Sequence, residues 1–232
     1  MRPLRVMTYN IHSGRGADRR VDLARIAAVI TSYAPDVVAL QEVDVGRERS
    51  GQIDQAAELA DRLAMEARFV GCVEEGCERY GIATLSRWPI EETRTVMLPH
   101  GPQSERRAAL LLWLRWPGRG RRLELVNTHL STNGRERIEQ VAVLAAAIGD
   151  GDVVLAGDLN CSSTSRPYRS LCTSLRAATT ARTWPARFPL FQLDHLLYRG
   201  ALRLVSSGVW VRGPARAASD HLPVVAELES IP

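Results

Sequence analysis

The sequence predicts an α/β (α+β) fold, a four-layer sandwich of two packed, mostly antiparallel β-sheets flanked by helices. Apolar runs of strand length outnumber helical patterns, and turns containing Gly or Pro separate most of them. A helical pattern also follows an early strand in each half, so the halves share a loose strand–helix–strand rhythm. Helices on the outer faces of two packed sheets satisfy both observations. No linker divides the chain, so we expect one domain over residues 1–232.

The first half begins with a strand over residues 4–9, followed by a helix that Asp22 caps and Pro35 ends. The face predicted to be buried consists of Leu23, Ile26, Ala27 and Ile30. A second helix is expected over residues 54–65, with Ala56, Leu59, Ala60 and Leu63 inward. Strands are expected over residues 36–40, 68–73, 82–86, 108–116 and 123–128.

The second half opens with a helix over residues 136–148. Its apolar stripe is predicted to consist of Ile138, Val141, Ala142 and Ala145. A shorter helix is expected over residues 168–175. The remaining strands are predicted over residues 152–156, 192–198, 202–210 and 222–228.

Composition narrows the function only slightly. All 30 basic residues are Arg and the net charge is +4, which permits a polyanionic partner without requiring one. Coding bias in a GC-rich genome is a simpler reason for the lack of Lys. No apolar run approaches the roughly 18 to 20 residues of a membrane helix, and no secretory signal is recognised. We therefore expect a cytoplasmic protein, with its four cysteines as free thiols.

Five short polar motifs stand at the ends of apolar runs. They are Tyr9-Asn10-Ile11, Leu40-Gln41-Glu42, Asn127-Thr128-His129-Leu130, Gly157-Asp158-Leu159-Asn160 and Ser219-Asp220-His221. Each is common alone, but five in this order are hard to obtain by chance. Motifs at the ends of consecutive strands would converge at one edge of the sandwich.

Oxygen-bearing side chains in these motifs suit Mg²⁺, which accepts one or two protein carboxylates and keeps several waters. Glu42 is the first candidate ligand, although a carboxylate there also caps strands or pairs with Arg. Asn10 is the second candidate, with a turn residue as the alternative, and Asp220 is a second metal or water contact.

The remaining candidates suit hydrolysis of a phosphate ester. Asp158 would position or deprotonate a water, and Asn160 would donate to a phosphoryl oxygen. A protonated His129 or His221 beside the phosphate would stabilise its developing charge, with Asp194 as the partner of His221. His195 is expected to be structural, and His12 and His100 to lie in loops or on the surface.

Arg107 begins a long apolar strand, in the segment Glu105-Arg106-Arg107. It is a candidate for binding the substrate phosphate bidentately. A solvated charge cluster at the start of the strand explains the segment equally well.

Together the motifs resemble the endonuclease/exonuclease/phosphatase superfamily of deoxyribonuclease I-like metal-dependent hydrolases. The resemblance extends from Asn10 to Pro223, and Gly-Asp-x-Asn and Ser-Asp-His carry most of it. It implies the four-layer sandwich, Mg²⁺ or Mn²⁺ dependence and phosphoester hydrolysis by direct attack of water. It also implies metal roles for Asn10 and Glu42, and roles for Asp158 and Asn160 at the nucleophile and the phosphate. Asp194, Asp220 and His221 would lie around the scissile bond.

His129 resembles the histidine of the deoxyribonuclease and sphingomyelinase branches, which implies a phosphate contact or general acid. The segment from Asp44 to Gln55 resembles a compact bacterial subgroup of these hydrolases. The chain departs from many members at Ile82, where they carry Asn. It also has no room for the long loops with which abasic-site enzymes hold duplex DNA.

These observations predict a Mg²⁺-dependent phosphodiester hydrolase. Its substrate is a nucleic acid, a phospholipid headgroup or a small phosphodiester, and we expect a monomer without a transmembrane segment. A nuclease would concentrate Arg around the site. The alternative from another class is an inactive binding module that keeps the scaffold.

Overall fold

The computed structural model describes residues 2–117 and 120–231. The first six strands are β1 Leu4–Asn10, β2 Val37–Val45, β3 Glu66–Glu75, β4 Glu78–Ser86, β5 Ile90–Leu98 and β6 Arg107–Arg115. The others are β7 Arg122–His129, β8 Asp152–Asp158, β9 Arg176–Ala177, β10 Asp194–Arg199, β11 Leu202–Val209 and β12 Val224–Ser230. The α-helices are α1 Leu23–Tyr33, α2 Gln55–Leu63, α3 Gly134–Ala147, α4 Arg166–Leu171 and α5 Ala215–Ala218.

The strands form two six-stranded sheets, ordered β11-β12-β1-β2-β4-β3 and β5-β6-β7-β8-β10-β9. Each sheet contains one parallel pair, β1 with β2 and β7 with β8, and its other pairs are antiparallel. One apolar core lies between the sheets, a second lies under α1 and α2, and a third under α3 and α4. The predicted four-layer sandwich is therefore confirmed.

The two parallel pairs explain how the polar motifs meet. Parallel neighbours need a crossover, which α1 supplies between β1 and β2 and α3 supplies between β7 and β8. Parallel strands also end at the same edge of the sheet. Asn10, Glu42, His129 and Asp158 lie at or near the carboxyl ends of these four strands.

The predicted buried faces of α1 and α2 are confirmed, but of the face predicted for α3 only Val141 is buried. Ile138 is 39% exposed, and the buried residues are Gln140, Val141 and Leu144. The Gln140 side chain accepts from Ser131 N and donates to Pro99 O, so a polar residue is satisfied inside the helix–sheet interface.

β5 was not predicted from the sequence. Most of its residues are exposed, because it is the edge strand of its sheet and pairs only with β6. A charged edge strand lacks the apolar alternation by which strands are recognised, and such charge protects an edge from further pairing.

Candidate active site

Asn10 joins the two sheets at the edge where the motifs converge. Its Nδ2 donates to Glu42 Oε1 at 2.8 Å and to Asp158 Oδ2 at 3.1 Å. Its Oδ1 accepts from the backbone N–H of His12 at 3.0 Å. The amide thus holds a carboxylate from each sheet with its NH₂ group, while its oxygen fixes the loop after β1.

Glu42 lies at an irregularity in β2, where the pairing with β4 shifts between Gln41 and Val43. Its φ of 56° is left-handed, which turns its side chain away from the ordinary alternation of the strand. The carboxylate faces a cleft of about 430 Å³. The cleft is lined by His12, Ser13, Arg15, Arg19, Val21, Glu42, Arg47, Arg49, Tyr80 and Glu105.

His221 and Asp194 form a buried ion pair. His221 Nδ1 lies 2.8 Å from Asp194 Oδ2, and its Nε2 lies 3.8 Å from Asp158 Oδ2. Burial alone would lower the pKa of His221, but the carboxylates of Asp194, Asp158 and Asp220 raise it to about 10. The imidazole is therefore held as a cation at neutral pH.

Asp158 is fully enclosed, with 1% of its surface exposed. Its Oδ1 accepts from the backbone N–H of Asn160 at 2.9 Å. Burial, followed by the negative charge of Asp194, raises the pKa of Asp158, and the nearby His221 cation opposes this shift. A carboxyl group whose pKa is raised is a better proton acceptor than an ordinary surface aspartate.

His129 differs from His221 in its charge. Arg107 Nη1 lies 2.8 Å from Nδ1, and because a guanidinium only donates, Nδ1 accepts and the ring proton lies on Nε2. Burial, then Arg107 and His221, lowers the pKa of His129 well below its ordinary value. The ring is neutral, so only one of the two histidines is held protonated. The Nε2 atom of His129 lies 3.5 Å from Asp158 Oδ2.

Asn160 adopts a left-handed backbone with φ 49°, which Asn tolerates better than most residues. Its Nδ2 donates to Leu130 O at 2.9 Å. The same nitrogen lies 3.1 Å from His129 Nε2, but both atoms carry hydrogen in this tautomer, so they do not form a hydrogen bond. The side chain thus connects the ends of β7 and β8.

Arg107 is buried at 8% exposure, which excludes a solvated charge cluster for this residue. Its Nη1 contacts Glu105 Oε1 at 2.8 Å as well as His129. The guanidinium therefore contacts Nδ1 of His129, the ring nitrogen opposite the one that faces Asp158.

Asp220 lies beside His12, and its carboxylate is close enough to His221 to contribute to the raised pKa of that ring. Its Oδ1 is 3.5 Å from His12 Nδ1, and its Oδ2 accepts from Trp184 Nε1 at 3.3 Å. Ser219 Oγ donates to Asn10 O at 2.8 Å, so the Ser-Asp-His segment is fastened to the end of β1.

Three residues that line this site were not predicted from the sequence. His12 was expected in a surface loop but lines the cleft beside Glu42. Its position two residues after Asn10, just past the end of β1, was the available signal. Tyr80 and Arg49 also line the cleft, where Arg49 pairs with the buried Asp44 at 2.7 Å and lies over the Tyr80 ring. Nothing in the sequence pairs these two distant residues.

The carboxylate oxygens at this edge are of the kind that a hard divalent cation prefers, and they form one buried group and one group that faces the clefts. Asp158, Asp194 and His221 have ligand atoms within 4.8 Å of one another, and Asp194 Oδ1 is a buried oxygen without a hydrogen-bond partner among the described residues. His221 Nδ1 is committed to Asp194, so nitrogen ligation there is disfavoured. The carboxylates of Glu42 and Asp220 are the accessible oxygens around His12, as hard cations require.

Comparison with known proteins agrees with this geometry. The chain is 29% identical over 245 residues to the uncharacterized protein YbhP of Escherichia coli K12, covering 97% of this chain and 95% of that protein. An endonuclease/exonuclease/phosphatase structure from Beutenbergia cavernae superposes with a TM-score of 0.80 and 30% identity, over 99% of this chain and 72% of that one.

The human Nocturnin catalytic domain with bound sulfate shares the fold, with a TM-score of 0.80 and 21% identity, over 100% of this chain and 96% of that one. The family model described as endonuclease/exonuclease/phosphatase matches residues 7–221. Those residues contain all five polar motifs and the ends of the four strands that deliver them. The chain therefore belongs to the endonuclease/exonuclease/phosphatase family, whose members are metal-dependent hydrolases of phosphoesters.

Proposed function

We propose that this protein is a Mg²⁺- or Mn²⁺-dependent phosphodiester hydrolase in which water attacks phosphorus directly. The observation that carries the proposal is the pairing of a cationic His221, held by Asp194, with the raised-pKa carboxyl of Asp158 at 3.8 Å. Proton transfer at neutral pH requires an acid and a base whose pKa values are set by different environments. His221 and Asp158 are such a pair, and they lie at the same edge of the sandwich.

Glu42 and Asp220, with Asn10 holding Glu42 in place, are the residues that we propose to hold the ion. When bound, Mg²⁺ or Mn²⁺ polarises a phosphoryl oxygen and lowers the pKa of water. The Asn10 amide presents its NH₂ group to the carboxylates, so we propose that it orients Glu42 while its oxygen secures the following loop.

The protein's own groups account for the proton and charge transfers. Asp158 orients the attacking water and accepts its proton. The His221 cation stabilises the negative charge that grows on the phosphoryl group, and Asn160 donates to the same oxygens. As the bond between phosphorus and the leaving oxygen breaks, that oxygen takes a proton from His221. Neutral His129 presents its Nε2 proton towards the same place, and Arg107 fixes that tautomer. A substrate-binding role for Arg107 is then exerted through His129.

The substrate is proposed to be a phosphate diester carried by nucleic acid, lipid or a small molecule. Among the described residues, no helix is both long and apolar enough to cross a membrane. We propose that residues 1–232 act as one domain and as a monomer in the cytoplasm.

The test is hydrolysis of bis-p-nitrophenyl phosphate by the purified protein. Activity should disappear with EDTA and return with excess Mg²⁺ or Mn²⁺. His221→Ala should lower kcat by about 10²- to 10⁴-fold because the charge-stabilising group is lost. His100→Ala, at an exposed position outside the cleft, is the matched control and should retain activity. Activity that survives thorough chelation, or an unchanged rate in His221→Ala, would contradict the proposal.

A further inference from the structure

The segment Trp184–Phe191 is a short hairpin that stands beside the site. Trp184 and Phe191 form a β-bridge, and the N–H groups of Leu190 and Phe191 both donate to Trp184 O at 2.8 Å. Arg216 Nη1 donates to the carbonyls of Ala186 and Arg187 at 2.9 and 3.0 Å. The backbone of the hairpin is therefore held in place from within and from α5.

The tip of this hairpin is apolar and exposed. Phe188, Leu190 and Phe191 are 70%, 59% and 54% exposed. They are three of the ten large apolar side chains that are exposed among the described residues, and they fall within four consecutive positions. Single exposed apolar residues need no explanation, whereas a cluster on a well-anchored loop is typical of a binding surface.

Charge is distributed unevenly along the chain. Residues 159–219 contain nine arginines and one carboxylate, the buried Asp194, whereas the rest of the chain carries a net charge of −4. In the described part of the chain, no carboxylate forms an ion pair with Arg182, Arg187, Arg212 or Arg216. The net positive charge of the protein is thus concentrated in the segment that carries the apolar tip.

The hairpin is attached to the site itself. Ala186 N donates to Asp220 O at 2.7 Å, and Trp184 Nε1 contacts the Asp220 carboxylate. A second cleft, of about 390 Å³, separates the hairpin from the loop after β1. Pro185, Ala186, Arg187 and Arg216 lie on one side, His12, Arg15 and Arg19 on the other, and Asp220 lines the same cleft. A molecule held at the hairpin would reach the phosphate site through this cleft.

We infer that the Trp184–Phe191 hairpin docks on the surface of an anionic phospholipid bilayer. Apolar side chains on a basic surface insert at the boundary of headgroups and acyl chains, and each nearby Arg gains from the negative surface potential. A single-stranded nucleic acid would also attract the arginines and stack on the phenylalanines. Leu190, however, offers no ring to a base, whereas a bilayer accommodates Leu and Phe equally.

Docking in this way would place the second cleft against the headgroup layer. Resting on the proposed function, the substrate would then be a phosphodiester presented at the lipid surface. The docking itself needs no turnover, so it can be measured independently of catalysis.

The experiment is co-sedimentation of the full chain with vesicles of phosphatidylglycerol and phosphatidylcholine, compared with phosphatidylcholine alone. The wild type should bind the anionic vesicles, and binding should weaken as salt is raised. Phe188→Ser combined with Leu190→Ser should lower the partition constant by about 100-fold, since two inserted side chains are lost. Met97→Ser combined with Val205→Ser, at positions 50% and 44% exposed outside the hairpin, should bind like the wild type.

Far-ultraviolet circular dichroism reports whether each variant is folded, and hydrolysis of soluble bis-p-nitrophenyl phosphate tests the proposed function separately. If that assay fails for the wild type but vesicle binding and its loss are seen, the docking inference stands and the proposed function fails. The inference is overturned if the wild type does not bind anionic vesicles or if the hairpin variant binds like the wild type. It is also overturned if the hairpin instead mediates binding of single-stranded DNA or self-association, measured by fluorescence anisotropy and gel filtration.

Discussion

Glu42 and Asn160 are among the site residues whose backbone conformation is disfavoured for residues with a side chain. Glu42 has a positive φ at the irregularity within β2, and Asn160 has one two residues after the end of β8. A left-handed residue other than Gly costs of order 1 to 3 kcal/mol, less for Asn, and persists only where its surroundings impose it. At Glu42 the bond from Asn10 holds the carboxylate towards the cleft. Backbone strain at this position therefore accompanies the placement of a proposed metal ligand.

Neutralising Glu42 should weaken metal binding, whereas neutralising Asp158 should slow catalysis. Glu42→Gln removes one of the carboxylates proposed to face the ion, so we expect the Mg²⁺ concentration for half-maximal activity to rise about tenfold or more. Asp158→Asn should instead lower kcat by about 10²- to 10⁴-fold at every Mg²⁺ concentration, because the proton acceptor is lost. A metal titration of both variants measures the difference. Rescue of Asp158→Asn but not Glu42→Gln by excess Mg²⁺ would reverse the two roles.

β8 places Asp158 at the site only because it lies very close to β7. A Cβ on Gly157 would lie 2.0 Å from Thr128 O, which is the backbone of the parallel partner strand. Only glycine allows this approach, which explains its place immediately before Asp158.

Gly157→Ala should therefore destabilise the fold by at least about 2 kcal/mol, because backbone atoms of two central strands must separate. Urea unfolding measures this change. Gly208→Ala is the matched control, since a Cβ at this position of β11 has open space. Equal stability of the two variants would mean that the β7–β8 contact is looser than described.

Some helices and strands were predicted from the sequence and others were not. The helices α1 and α2 were predicted with their buried faces because apolar residues recur at helical spacing. β5 was missed, and of the predicted α3 face only Val141 is buried. In both cases the burial of the residues depends on their neighbours in the folded protein. An edge strand needs few apolar residues, and Gln140 is buried only because its side chain forms hydrogen bonds with Ser131 and Pro99.

At the scale of the whole molecule, acid should weaken the fold through His195. Its Nε2 lies 2.8 Å from Cys161 O, and Gln192 Nε2 lies 3.1 Å from its Nδ1. Since the Gln192 amide NH₂ donates, the ring is a neutral tautomer with its proton on Nε2. Burial lowers the pKa of His195 to about 4. Between this value and the ordinary pKa near 6.5, the unfolded chain binds the extra proton and the folded chain does not.

The contribution of His195 is thus complete above pH 6.5 and is lost as the pH falls towards 4. At pH 5 we expect the loss to be about 2 kcal/mol relative to pH 7.5. Urea unfolding of the wild type and of His195→Gln at both pH values measures it. The variant should be less stable at pH 7.5 but lose about 2 kcal/mol less on acidification. Equal losses in the two proteins would contradict the assignment.

The sequence alone was enough for the sandwich and for the convergence of its motifs. Motifs at the ends of strand-length apolar runs, with Asn10, Glu42, His129 and Asp158 among them, predicted one edge. The structure supplies the reason, since β1 is parallel to β2 and β7 is parallel to β8. The motifs are local patterns, and the chemistry of their side chains follows from the amino-acid sequence itself. The single-domain organisation and the individual site roles remain predictions.

Only the tertiary structure decided the charges and the contacts between distant segments. Arg107 and His221 are far from His129 in sequence, yet they and burial make His129 neutral, while Asp194 makes His221 a cation. His12, Tyr80 and the Trp184–Phe191 hairpin reach the site through loops and neighbouring strands whose placement no local pattern encodes. Electrostatic interactions and burial depend on distance in space, and the packing of the two sheets sets those distances.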